Sequence, residues 1–290
     1  MRNERIELLR KPVTDVLGSF SQVKIEYSIV ASQRFFAFGA VRLKCRALNL
    51  AQKFHQNTLK NFRRKVKIAL IGDSMMEKWG PQCPQLQAEL SRVFTRTTVE
   101  IDNHGLSGTR AGHGLWRIAH DYKDSGGQYR SCLSYNDPDI VIIESFAYTN
   151  CADDAESLPE YRDVLRSLWE EVGRTTAAKI LFLTTIPPDR DKFLETSNNY
   201  YYTSKITRQR MADRATLYLQ EALNIAEDEE WPIADVYSEV QKKVVGGDKL
   251  RRYINQSDCL HPSVYGYQAV ARVIVRAIDK YEMIKEVIPK

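Results

Sequence analysis

A serine, a histidine and an aspartate stand where they could form one catalytic unit. Ser74 follows Gly72-Asp73 at the end of the apolar run 66–72. Asp258 and His261 are three residues apart in Asp258-Cys259-Leu260-His261-Pro262, near the C-terminus. A serine hydroxyl attacks a carbonyl only when a base within hydrogen-bond reach takes its proton, and a carboxylate that orients the base improves it. A turn leading into a helix can place both side chains on one side, so that Asp258 fixes the His261 imidazole and His261 serves Ser74. Pro262 suits the first position of that helix. Taken alone, each residue has a plainer role. Ser after Gly-Asp often caps a helix, and His before Pro is ordinary at the start of one. The combination is what favours chemistry.

An attacked carbonyl becomes an oxyanion, which needs preorganised donors. The Ser74 N–H, an N–H in the loop Asn103-His104-Gly105-Leu106-Ser107-Gly108, and an Asn side-chain amide are suitable. Within that loop, Gly105 is read as a turn glycine at positive φ and Asn103 as a residue that ties the loop together. Asp73 is expected to bond backbone in the turn after its strand. His104, His113 and His120 are spaced nine and seven apart. Those spacings fit no common metal-ligand pattern, so the three are read as loop or exposed residues. The run Asn198-Asn199-Tyr200-Tyr201-Tyr202 could present rings and hydroxyls to a sugar, or be a Tyr-rich loop. Thr185, Pro187 and Pro188 are read as the end of a strand.

These residues need elements to hold them. Short apolar runs at 66–72, 98–102, 139–144 and 179–186 read as strands, and 231–237 holds a short fifth. Between them, 84–94, 157–172 and about 205–226 have apolar residues at helical spacing, and a last helix covers about 263–281. Strands alternating with helices imply an α/β fold with a parallel sheet of about five strands, covered on both faces. Sites in such folds gather at the C-terminal ends of the strands, where the candidate residues fall.

The ordered segments resemble the SGNH/GDSL hydrolase family. IALIGDSMM resembles its first block, with the nucleophile in Gly-Asp-Ser, and NHGLSGT its second, whose glycine (here Gly108) supplies an oxyanion N–H. DPDIVIIESFAYTN lies where the third block belongs, and DCLHP is similar to the last, Asp-x-x-His-Pro. The resemblance covers roughly 66–281. It implies a three-layer α/β/α, flavodoxin-like fold and a serine esterase: Ser74 as nucleophile, His261 as general base, Asp258 as its orienting partner, and no metal or organic cofactor. It also implies a substrate that is a small-molecule or glycan ester, with an O-acetylated carbohydrate, a lipid or a thioester as acyl carriers. The third block departs from the usual Gly-x-Asn-Asp. Ungapped alignment puts Tyr148 at the Asn position, and a shift of two puts Asn150 there. Asn150 is preferred, because its amide is the closer chemical match. The departure also leaves room for a catalytically weak binding module of the same fold.

The charge is divided along the chain. Residues 1–67 hold 15 Lys/Arg and 4 Asp/Glu, a balance of +11, so the total of +5 leaves −6 for 68–290. A uniform nucleic-acid-binding surface is therefore not expected. The split suggests a basic N-terminal extension over 1–64 and a hydrolase domain over 65–290. Phe36, Ala40, Leu43, Ala47, Leu50 and Phe54 follow helical spacing, with Arg42, Arg46, Lys53 and Lys60 on a polar stripe. Such a helix could pack on the domain or lie on an anionic membrane as a peripheral contact. No signal peptide or spanning segment is expected, which suggests a cytoplasmic or membrane-peripheral protein. The five cysteines are scattered without a CxxC pair, which argues against a disulfide framework or structural zinc. Oligomeric state is not legible.

Overall fold

The computed structural model describes residues 65–150, 158–197 and 202–284. The amphipathic segment proposed for the N-terminal extension lies outside them, as does most of the Asn198–Tyr202 run. Among the described residues, seven strands and seven α-helices follow in chain order. They are β1 (Lys65–Gly72), α1 (Ser74–Glu77), α2 (Pro84–Val93), β2 (Thr98–Gly105), α3 (Ala111–Ala119), β3 (Tyr122–Lys123) and β4 (Tyr129–Arg130). Then come β5 (Ile140–Glu144), α4 (Leu158–Thr175), β6 (Lys179–Leu183), α5 (Lys205–Asp228), β7 (Ile233–Ala234), α6 (Val236–Val245) and α7 (Val264–Lys280).

Five strands form one parallel sheet in the order β2-β1-β5-β6-β7. β5 is Ile-Val-Ile-Ile-Glu with every residue buried, as a strand covered on both faces must be. α7 packs on α2 and α6, while α4 packs on α3 and α5. The result is the three-layer α/β/α arrangement. Register aligns the ends that matter: Gly72 of β1 lies opposite Gly105 of β2, Ile71 opposite Ile143 of β5, and Glu144 opposite Leu183 of β6. The chain runs outward in opposite directions from β1 and β5, so the crevice at their C-terminal ends is the topological switch point.

Some local expectations change. β2 continues through Gly105, so Asn103 and His104 belong to a strand rather than a loop. His104 is buried; its Nε2 lies 3.0 Å from Asp102 Oδ2 and its Nδ1 3.1 Å from the Tyr122 hydroxyl. His113 and His120 are exposed. The short fifth strand expected within 231–237 is present and two residues long, since Asp235 caps α6 by accepting from Ser238 N–H at 2.9 Å. The fourth predicted strand stops at Leu183, before Thr185 and the prolines. α7 starts at Val264 with Ser263 as its cap, so Pro262 precedes the cap. α3 and the β3–β4 hairpin were not legible. Gly112 and Gly114 weaken the helical signal of Ala-Gly-His-Gly-Leu-Trp-Arg-Ile-Ala by about 1 kcal/mol each, and the hairpin strands have two residues apiece.

Candidate active site

Ser74 is the first residue of α1, directly after β1. Asp73 caps that turn, with Oδ1 accepting from Met75 N–H at 2.7 Å, which is the backbone role its sequence suggested. Ser74 is half-buried. Among the described residues, no bond is made by its hydroxyl or its N–H.

The second strand delivers the glycine loop. Gly105 is not at positive φ, contrary to the sequence reading. Its requirement is close approach, since a Cβ there would sit 2.3 Å from the Glu77 nitrogen. Gly108 does need positive φ, at 71°. Asn103 ties the two loops, donating from Nδ2 to Met76 O at 2.7 Å and Gly80 O at 2.8 Å, and accepting from Gly105 N–H at 2.9 Å. Glu77 reinforces the link by accepting from Ser107 N–H at 3.0 Å and from the Ser107 and Ser125 hydroxyls. No partner binds the Gly108 N–H among the described residues.

The Asp258–His261 turn has the geometry its spacing suggested. Asp258 Oδ2 lies 2.8 Å from His261 Nδ1, while Oδ1 accepts from the N–H groups of Leu260 and His261 at 2.9 and 3.1 Å. Burial would raise the Asp258 pKa, but these bonds and the imidazole prevail and hold it below the usual carboxylate range. The other ring nitrogen, Nε2, is buried with no partner among the described residues. A bond between it and the Ser74 hydroxyl is not closed here. Such bonds are often long without substrate. The loop is fixed by Asn255 N–H donating to His261 O at 2.8 Å and by Leu194 N–H donating to Cys259 O at 3.1 Å. The Tyr267 hydroxyl donates to Met75 O at 3.1 Å, which ties α7 to the turn carrying Ser74.

Ser74, Gly108, Tyr148, Asp258 and His261 line one cavity of about 450 Å³, with Leu194 and Lys78 among the other wall residues. Tyr148 stands in the short 3₁₀ turn Ala147–Asn150, and its hydroxyl donates to Ile186 O at 2.8 Å. The Asn150 side chain lies outside the described residues. Among the described residues no cluster of His, Cys, Asp and Glu could hold a metal ion, and no helix is long and apolar enough to cross a membrane.

Two groups under the site gave little sequence signal. Arg117 of α3 is buried, donating from Nη2 to Gly72 O at 2.9 Å and from Nη1 to Thr109 Oγ1 at 2.8 Å. Burial lowers its pKa to about 10. Glu144 is buried behind Asp73. Burial and the Asp73 charge push its pKa well above the ordinary value. Burial likewise raises Asp73 to about 6, against the pull of the Met75 N–H, His261 and Arg117. Long sequence separation hides both contacts.

Similarity to known proteins follows the same outline. A lipase/acylhydrolase from Enterococcus faecalis aligns at 21% identity with a TM-score of 0.53, covering 74% of this chain and 96% of its own. Axe2, an acetylxylan esterase from Geobacillus stearothermophilus, aligns at 19% identity and TM-score 0.53, covering 73% and 94%. An alpha/beta hydrolase enzyme from the metagenome of Lake Arreo aligns at 18% and 0.53, covering 76% and 98%. At these identities the likeness is one of fold. A search of curated protein sequences found no significant match. The sequence model of the GDSL-like lipase/acylhydrolase family matches residues 68–274, and the chain belongs to that family.

Proposed function

We propose that this protein hydrolyses carboxylic esters through Ser74, with His261 as general base and Asp258 as the group that orients it. One observation carries the reading: His261 is held by Asp258 at 2.8 Å, while its buried Nε2, beside the cavity that contains Ser74, has no partner among the described residues. The hydroxyl oxygen adds to the acyl carbon as its proton passes to Nε2. The ester C–O bond then breaks, and the alkoxide leaves with that proton. Water repeats the sequence on the acyl-enzyme. The N–H groups of Ser74 and Gly108 and the Asn150 amide receive the oxyanion.

For the acyl group we favour acetate on a carbohydrate. The fold likeness to an acetylxylan esterase supports this, and lipid and thioester acyl groups are the competing choices. A fluorophosphonate probe should label the wild type and fail to label Ser74→Ala. An acyl-chain series of aryl esters should show highest kcat/KM at acetate. Unchanged hydrolysis by purified Ser74→Ala would refute the mechanism. A second reading, a weakly catalytic binding module, is favoured by the third block, where the Tyr148 hydroxyl is bonded to Ile186 rather than offered only to the cavity.

A further inference from the structure

A second cavity, of about 770 Å³, adjoins the one that holds Ser74, and Lys78, Asp258 and His261 belong to the walls of both. The remaining wall includes Trp79, Arg251, Gln256 and Tyr265. Its charges are unequal. The Asp258 carboxylate is engaged by His261, and Arg252 is paired with Asp248 at 2.9 Å. Arg251 is held differently: its Nε and Nη2 donate to Gln256 Oε1 at 3.1 and 2.9 Å. Gln256 is fixed in turn by donating to Arg251 O at 2.9 Å and Ile254 O at 2.8 Å. A neutral amide thus orients the guanidinium without neutralising it. Among the described residues no carboxylate is bonded to Lys78 or Arg251. Residues 68–290 carry −6 in total, so two cations beside the reaction cavity with no carboxylate bonded to them run against the charge of the domain, although the Lys78 charge also reaches Glu77 and helps hold its carboxyl low.

Direction follows from the chemistry. A general base that returns its proton to the leaving group must face the leaving oxygen, so the alcohol half of the ester lies on the His261 side. The larger cavity continues past His261. We propose that the alcohol half bears an anionic group, a carboxylate or a phosphate, which Lys78 and Arg251 receive in this second cavity. The proposal rests on the esterase reading. The anion takes no part in bond making: the acyl C–O bond breaks and the alkoxide takes the proton as described above.

Three esters test it: 4-acetoxybenzamide, 4-acetoxybenzoate and 4-acetoxyphenylphosphonate, each corrected for its uncatalysed hydroxide rate. At low ionic strength the wild type should prefer the anionic esters to the amide by roughly tenfold in kcat/KM, as two partly solvated ion pairs would give. In 0.5 M salt, where the Debye length falls to about 4 Å, the ratio should approach unity. Lys78→Gln combined with Arg251→Gln should remove the preference, and Lys78→Glu should reverse it. The benzoate and phosphonate arms distinguish a carboxylate from a phosphate. If all three esters are hydrolysed with a ratio near one that neither salt nor substitution moves, the esterase reading stands and the anion subsite is wrong. If none is hydrolysed, the preference for acetate fails, fluorophosphonate labelling of Ser74 decides the esterase reading, and the subsite is read by equilibrium dialysis of 4-hydroxybenzoate. Binding weakened severalfold by Lys78→Gln supports it, and no binding overturns it.

Discussion

Tyr148 lines the Ser74 cavity, yet its hydroxyl already donates to Ile186 O at 2.8 Å. A donor so engaged contributes little to a developing oxyanion. Tyr148→Phe should therefore change kcat by less than about tenfold, the scale of one modest hydrogen bond. If Asn150 supplies the amide, Asn150→Ala should lower kcat by about 10²–10³ with little change in KM. Steady-state kinetics on the two variants decides the matter, and the reverse pattern would move the donor to Tyr148. Ser74, Gly108, Asp258 and His261 were legible because each sits in a short motif at a strand end or helix start. The third block was not, for a physical reason. Phe146 lies at φ 56°, a left-handed conformation that sequence signals with glycine, and a phenylalanine there conceals the turn.

Strands and long helices were legible as elements because apolar runs and helical spacing survive in one sequence. What joins them was less so. Arg117 reaches from α3 to the end of β1 and to Thr109, just after Gly108, and so couples the turn carrying Ser74 to the glycine loop. Nothing in Gly-Leu-Trp-Arg-Ile announces a buried guanidinium, since an amphipathic helix ordinarily sends its arginine to water. Removing it would leave the Gly72 carbonyl, buried at the sheet end, without that partner. Arg117→Met should lower stability by about 2 kcal/mol, read as a lower urea midpoint at unchanged slope. It should also lower kcat more than it raises KM, because the two N–H groups proposed to receive the oxyanion lose their common support. Thr109→Val, which keeps the Arg117 bond to Gly72 O but loses the one to Thr109 and the Thr109 hydroxyl's own bond to Leu106 O at 2.6 Å, should show an effect of the same kind on kcat. A urea midpoint unmoved by Arg117→Met would mean that the bridge holds nothing.

For the molecule as a whole, the site is assembled on a stability cost that pH controls. Asp73 and Glu144 meet only because β1 and β5 are neighbours, which no local pattern reveals. Burial raises Asp73 from 3.8 in the unfolded chain to about 6, and Glu144 moves the same way. A raised carboxyl pKa means that the folded state holds its proton longer. Between pH 3.8 and about 6 the folded protein binds more protons than the unfolded chain, so this group makes stability fall as pH rises, with the full penalty above about 6. Asp102 acts in the opposite sense. Burial opposes its ionisation, but His104, Arg130 and Asn136 hold it at about 2, so its contribution is present above pH 3.8 and is lost as pH falls toward 2. The two windows separate the effects. Asp73→Asn keeps an oxygen to accept from Met75 N–H and removes the buried charge. The variant should be more stable than wild type at pH 8, by on the order of 2 kcal/mol or several degrees in Tm. That advantage should shrink through pH 5 and fall to a small fraction of its size by pH 4, below which Asp73 becomes protonated in the unfolded chain as well. Thermal melts of the two proteins from pH 4 to 8 measure the difference directly. A constant Tm difference across that range would show that Asp73 is ionised throughout, and that the buried carboxyl beside Ser74 costs the fold nothing.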